Sequence, residues 1–311
     1  RLDQQSGEVT LLTDGESKHS SYTLSHDGAA IAYNGNGRNG RDMDIYVGDG
    51  RSPESARRLL EVDGYWYPIE FSHDGRYLLV GQYVSINDSR VYRVEVETGL
   101  LTRLTPEDQL AAYLDAAFGV SSEQVFVASD RDGEFRELYE VDAEDPAAPW
   151  RRLTADIPWN IEDIAVSANG RTLAFTTNED GFSVLRLMDT RRGRMRQVES
   201  VPRGIIRGLE FARRTETLAF SLMTATRPSD AYTFTVRGEH LTRWTESEIG
   251  GLNADRFIEP ELIHFTSFDE REIPAFYFRP RGEGPFPVVV YIHGGPEGQA
   301  RPRFNSLIQY L

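Results

Sequence analysis

The chain contains no cysteine. Disulfides, thiolate zinc sites and a cysteine nucleophile are therefore excluded. No apolar run approaches the ~18 residues needed to cross a membrane as a helix. Basic residues are in the minority, with 34 Lys and Arg against 49 Asp and Glu, a net charge of −15. Nucleic acid and anionic membranes both need a basic face, so neither is expected as a partner. Gly-x-Ser-x-Gly, the turn that presents a nucleophilic serine, does not occur. Gly181-Phe182-Ser183-Val184-Leu185 comes nearest and lacks the second glycine. The dipeptide Glu-Glu is also missing. No metal or cofactor is expected. The lack of cysteine fits a reducing compartment, so a cytoplasmic location is expected, with the periplasm as the alternative. Arg1 is not an initiator methionine, and export is left unread.

What is present is a repeat. Residues 12 to 245 recur with a period of about 46. Ser25-His26-Asp27-Gly28 precedes Ile31-Ala32-Tyr33, and Ser72-His73-Asp74-Gly75 precedes Leu78-Leu79-Val80. Ser167-Ala168-Asn169-Gly170 precedes Leu173-Ala174-Phe175, and degenerate copies precede Val125-Phe126-Val127 and Leu218-Ala219-Phe220. Ile31, Leu78, Val125, Leu173 and Leu218 are 47, 47, 48 and 45 residues apart. Tyr46, Tyr92, Tyr139, Leu185 and Tyr232 hold the same period. So do Leu12, Leu59, Leu104, Leu153, Val198 and Trp244. Each unit reads as four short strands with Gly, Asp and Asn between them. Period-2 apolar spacing and primed-turn residues rule against a helical repeat. Four strands per unit is the signature of a β-propeller blade. Five full blades fit between Tyr22 and Thr245, with Arg1–Thr13 as the end of a sixth; seven are expected in an intact ring.

Within the repeat, His26 and His73 occupy one position of one turn, which favours a structural role for both. Ser129-Asp130-Arg131-Asp132-Gly133 reads as a hairpin rather than an ion-binding loop. Trp66, Tyr67, Trp159 and Asn160 fall at or just before first strands, which line a propeller's channel. They are candidate substrate contacts, with blade-to-blade packing as the alternative.

Glu246 to Pro260 breaks the period. Glu261–Phe265 and Ile273–Pro280 then read as a hairpin, and Val288–Ile292 as a buried strand of a parallel sheet. His293-Gly294-Gly295-Pro296 stops that strand, and Phe304–Leu311 opens a helix. The expected division is a propeller over 1–250, beginning inside a blade, and a linker plus the beginning of an α/β-hydrolase domain over 251–311. Cut short at Leu311, that sheet start leaves bare apolar faces. Residues 255–311 are expected to be disordered, to aggregate, or to rest on a partner.

A propeller followed by Ser-Phe-Asp-x-x-x-Ile-Pro-Ala and Val-Val-Val-Tyr-Ile-His-Gly-Gly-Pro-Glu resembles the prolyl oligopeptidase family of serine peptidases. It is most similar to the acylaminoacyl-peptidase and dipeptidyl-peptidase-like branch. The resemblance implies a Ser-Asp-His peptidase acting on short peptides, with the propeller gating access. It places one oxyanion donor at the Gly295 N–H, with Gly294 shaping the turn and His293 where some relatives carry an oxyanion-binding tyrosine. The triad would lie beyond Leu311, so this chain alone is expected to be inactive. Dipeptidyl peptidases hold the substrate amine with a glutamate pair. The missing Glu-Glu therefore favours acylaminoacyl-peptidase or oligopeptidase activity. Expected partners are a peptide substrate and the rest of the catalytic domain, with a homo-oligomer left open. The competing readings are a TolB-like propeller that binds protein partners without catalysis, and an α/β-hydrolase esterase.

Overall fold

The structure is a computed structural model that describes residues 1–295 and 298–311. Pro296 and Glu297, the last residues of the family-like motif, lie outside the described residues. Two compact units cover 1–171 and 172–311. Among the described residues no helix is long and apolar enough to cross a membrane.

The first unit holds three antiparallel meanders, each with its strands in chain order. The first sheet is β1 (Tyr22–Leu24), β2 (Ala30–Gly35), β3 (Asp44–Asp49) and β4 (Arg57–Leu60). The second is β5 (Tyr65–Phe71), β6 (Tyr77–Ser85), β7 (Asp88–Glu95) and β8 (Leu101–Arg103). The third is β9 (Tyr113–Phe118), β10 (Gln124–Ser129), β11 (Glu137–Asp142) and β12 (Arg151–Arg152). The fourth repeat supplies β13 (Asn160–Val166) to this unit. In the second unit, β14 (Thr172–Glu179), β15 (Phe182–Asp189) and β16 (Met195–Gln197) continue that repeat. The fifth is β17 (Ile205–Phe211), β18 (Thr217–Met223), β19 (Asp230–Thr235) and β20 (His240–Arg243). These four-stranded meanders are propeller blades.

The repeat markers have local physical causes. In the Ser-x-Asp/Asn-Gly turns, the glycine N–H donates back to the serine carbonyl, at 2.8 Å for Gly28 and Gly75 and 2.7 Å for Gly170. The serine hydroxyl donates to the acid or amide two residues on, 2.6 Å for Ser25–Asp27 and Ser72–Asp74, and 2.9 Å for Ser167–Asn169. The glycines sit at φ of 71°, 70° and 65°, where a side chain is strained. The apolar triplets form the core: Leu78, Leu79, Val80, Val125, Phe126 and Val127 are wholly buried. The closing-strand marker is an amide that caps the third strand. Leu104 donates to Val91, Leu153 to Leu138, Val198 to Leu185 and Trp244 to Ala231, at 2.8–3.0 Å. Arg1–Thr13 stands apart, with Leu2 bridged to Val9 in a loop of its own.

The C-terminal region departs from expectation at its centre. The expected hairpin forms as β21 (Glu261–Thr266) and β22 (Glu272–Tyr277), and the expected helix as α1 (Ser306–Tyr310) with Asn305 capping it. Val288–Ile292, read as a buried strand, lies outside any strand and is 71–83% exposed. A run of β-branched residues records what a parallel sheet would accept. It forms a strand only when neighbours take its N–H and C=O groups, and among the described residues none does. The region is nevertheless not bare. Gln309 donates to the Ala225 and Ile258 carbonyls, both at 3.0 Å, and accepts from the Ile258 N–H at 2.8 Å.

Candidate functional site

Among the described residues the candidates fall into two groups, one in each unit. In the first unit the inner strands present carboxyl groups. β5 is bulged between Pro68 and Glu70, and β9 next to Asp115. A bulge re-aims the side chain that follows it. Glu70 accepts from the Phe118 N–H of β9 at 2.7 Å. Asp115 accepts from the Ile164 N–H of β13 at 2.9 Å, and from its neighbour Ala116 at 3.0 Å. Each carboxyl thus links one inner strand to the next. Both side chains are half-buried, and burial dominates their proton affinity. Burial pushes Glu70 up to about 8, against the Phe118 N–H, with Asp115 adding repulsion. Burial likewise raises Asp115 to about 7, opposed by the Ile164 N–H and reinforced by Asp163. The Tyr67 phenol is raised to about 12 by burial and then by Asp115.

The sequence alone did not single out Glu70 or Asp115. A weak signal was there: one acid set between apolar residues ahead of a blade turn, as in Pro68-Ile69-Glu70-Phe71 and Leu114-Asp115-Ala116. His26 and His73 stack with ring centroids 4.1 Å apart, and the His26 ring lies 3.9 Å from Glu70. Burial lowers His73. That packing fits the structural role read from the turn.

The four proposed substrate contacts separate. Trp66 is consumed by packing: it is buried among Leu78, Val80 and Val94, meets the Tyr92 ring at a tilt with centroids 4.8 Å apart, and donates its indole N–H to the Asp63 carbonyl at 3.0 Å. It offers no free face to a ligand, because ring and polar edge are both used. Tyr67 is half-buried and covers Gly81, where a Cβ would come within 2.7 Å of its ring. Trp159 is half-exposed. Asn160, also half-exposed, accepts from the Arg136 N–H at 2.8 Å. Gly81→Ala is expected to displace Tyr67 and to destabilise the first unit by roughly 1–3 kcal/mol. Urea unfolding checks this, and Tyr67→Ala in the same chain should restore most of the loss.

In the second unit, His293, Gly294 and Gly295 are exposed. The His293 ring nitrogen lies 3.2 Å from the Gly294 carbonyl oxygen. Gly295 has φ 143°, open to glycine and strained for other residues. A side chain at Gly298 would run into the Gly294 carbonyl. Among the described residues no group of three or more His, Cys, Asp or Glu is arranged to hold a metal ion.

The comparisons bear on both units. A family model described as the prolyl oligopeptidase N-terminal β-propeller domain matches residues 50–247. No curated protein matches the sequence. Among solved structures, a Mycobacterium tuberculosis puromycin-hydrolyzing peptidase aligns with TM-score 0.75 and 17% identity, over 93% of this chain and 48% of its own. Prolyl oligopeptidase B from Galerina marginata, bound to a 35mer hydrolysis and macrocyclization substrate, aligns at 0.67 and 13%, over 84% and 38%. A structure from a study of two prolyl endopeptidases, concerned with inter-domain dynamics, aligns at 0.61 and 16%, over 85% and 47%. The chain therefore spans less than half the length of each.

Proposed function

This chain belongs to the prolyl oligopeptidase family through the family's N-terminal β-propeller domain, and from that premise we propose that it is the propeller and first catalytic-domain segment of a serine peptidase cleaving short peptides. The observation that carries the proposal is the family match over residues 50–247, followed in the chain by Val288–Gly295. In this reading residues 251–311 begin an α/β-hydrolase domain, and Val288–Ile292 becomes a strand once further strands pair with it.

The chemistry follows from what the chain has and lacks. A peptide carbonyl attacked by a serine gathers negative charge on its oxygen. A fixed N–H aimed at that oxygen stabilises the transition state more than the ground state. The Gly295 N–H supplies one such donor, and the missing side chain lets the carbonyl approach. Gly294 shapes the turn, and His293 stands at the strand end beside it. The serine, its histidine base and the aspartate that orients the base come from outside these 311 residues, which contain no Gly-x-Ser-x-Gly. The propeller's part is to decide which chains reach the site, with Tyr67, Trp159 and Asn160 as the remaining candidate contacts. Sequencing the gene past codon 311 tests the proposal. A Gly-x-Ser-x-Gly within about a hundred codons is expected; a stop codon, or a frame without it, would point to a propeller that only binds.

A further inference from the structure

The segment that leaves the glycine loop is tied to a single turn of the propeller. β14 and β15 meet through Asp180 (φ 49°) and Gly181 (φ 86°), two consecutive left-handed residues that make the tightest kind of hairpin turn. Arg301 grips this turn. Its Nε donates to the Gly181 carbonyl at 2.8 Å, and its Nη2 to the Ser183 hydroxyl at 3.0 Å. Beside it the Asn178 amide donates to Gln299 Oε1 at 2.7 Å. Phe182 meets Phe276 of β22 edge to face, with centroids 5.6 Å apart. The turn has no spare room: a Cβ on Gly181 would sit 3.1 Å from the Phe276 ring and 3.5 Å from the Ala300 carbonyl. Polar fork, amide pair and aromatic contact thus converge on four turn residues. Arg301 lies six positions after Gly295 (301 − 295).

We propose that the β14–β15 turn is a docking notch for the Gln299–Arg301 strap. Arg301 is then a positioning residue, fixing through that notch where the glycine loop leaves its site. The positioning half rests on the peptidase reading above; the docking half does not. A guanidinium is suited to the task, because its rigid planar fork reaches a carbonyl and a hydroxyl from two nitrogens, where an ammonium offers a single nitrogen. The arrangement makes the placement of the oxyanion donor depend on a propeller turn, so the part that admits the substrate also sets the geometry of catalysis.

Hydrogen exchange followed by mass spectrometry tests the docking on the 311-residue chain. Arg301→Ala is expected to raise exchange about tenfold in peptides covering 298–305 and 178–183, through loss of a charge-assisted fork. Peptides from β16 and from the neighbouring β17–β20 blade should keep their rates, which shows that the change is confined to the notch. Arg301→Lys should give a smaller rise, and Arg303→Ala, whose side chain is exposed, none. Wild-type exchange in Arg301→Ala would overturn the docking. Kinetics of the intact gene product test the positioning: Arg301→Ala should lower kcat about tenfold and leave KM for an acyl-peptide anilide within twofold. Unchanged kcat in a variant whose strap exchanges faster would overturn it. If the unaltered gene product cleaves no peptide, the peptidase reading and the positioning half fall together, and the exchange result still decides the docking.

Discussion

Replacing Glu70 by Gln, or Asp115 by Asn, should make the protein more stable at pH 8 and leave it unchanged near pH 4. In the folded protein both carboxyls hold their protons to unusually high pH, about 8 for Glu70 and about 7 for Asp115. In the unfolded chain they release them near the ordinary value of about 4. Below that pH both states are protonated and the groups leave stability untouched. Above it the native state binds more protons than the unfolded one, so stability falls as pH rises, until the folded groups have titrated as well. The amide variants carry no proton to lose and keep an oxygen for the Phe118 and Ile164 N–H groups. A full conversion of these shifts would give roughly 4–5 kcal/mol per carboxyl. About a quarter of the Glu70 side chain is still accessible, at 26%, and Asp115 is only half-buried, so water reduces the effect to roughly 2 kcal/mol per carboxyl. His73, lowered by burial, gives the opposite slope through the ordinary histidine range. The comparison of variant with parent removes it. Urea unfolding followed by tryptophan fluorescence at pH 4, 6 and 8 makes the measurement. Parallel pH curves for parent and variants would show that these carboxyls titrate as exposed groups.

A second large effect is expected at the glycine loop of the proposed peptidase. Gly295→Ala should lower kcat by about 10²–10³ with KM little changed, the cost of losing one oxyanion donor. Gly295 adopts φ 143°, so a side chain there forces the loop to another conformation and turns its N–H away. Gly294→Ala is the contrasting case. It has open space around its would-be Cβ and no positive φ, and its effect should be at least tenfold smaller. Steady-state kinetics of the intact gene product with both variants check the pair. Equal effects at the two positions would remove the assignment of the donor to Gly295.

The blades were legible in the sequence because their signals are local. Ser25, Asp27 and Gly28 satisfy one another within four residues, so the turn repeats as a motif wherever it repeats as a structure. The closing-strand leucines repeat because each amide caps a third strand a short hairpin away. The carboxyls were hidden for the opposite reason. Glu70 meets Phe118 across 48 residues, and Asp115 meets Ile164 across 49, about one repeat in each case. Neither partner has a composition that announces the contact, since a backbone N–H is the same in every residue. The Arg301 fork spans 120 residues to Gly181 and ends on a carbonyl, which leaves no mark on the sequence either. Trp66, one of the candidate contacts at the inner strands, is packed away, because a large ring at a strand start serves a blade interface as well as a ligand. Val288–Ile292 reads as buried and is exposed here for a related reason. Its composition fits a sheet interior, but burial belongs to the residues that cover it.

The account depends most on the claim that this propeller serves a peptidase. The intact gene product should be assayed side by side with an acyl-peptide anilide and a p-nitrophenyl ester. Turnover of the anilide, abolished when the serine of the expected Gly-x-Ser-x-Gly is replaced by alanine, is the predicted result. Turnover of the ester alone would contradict it.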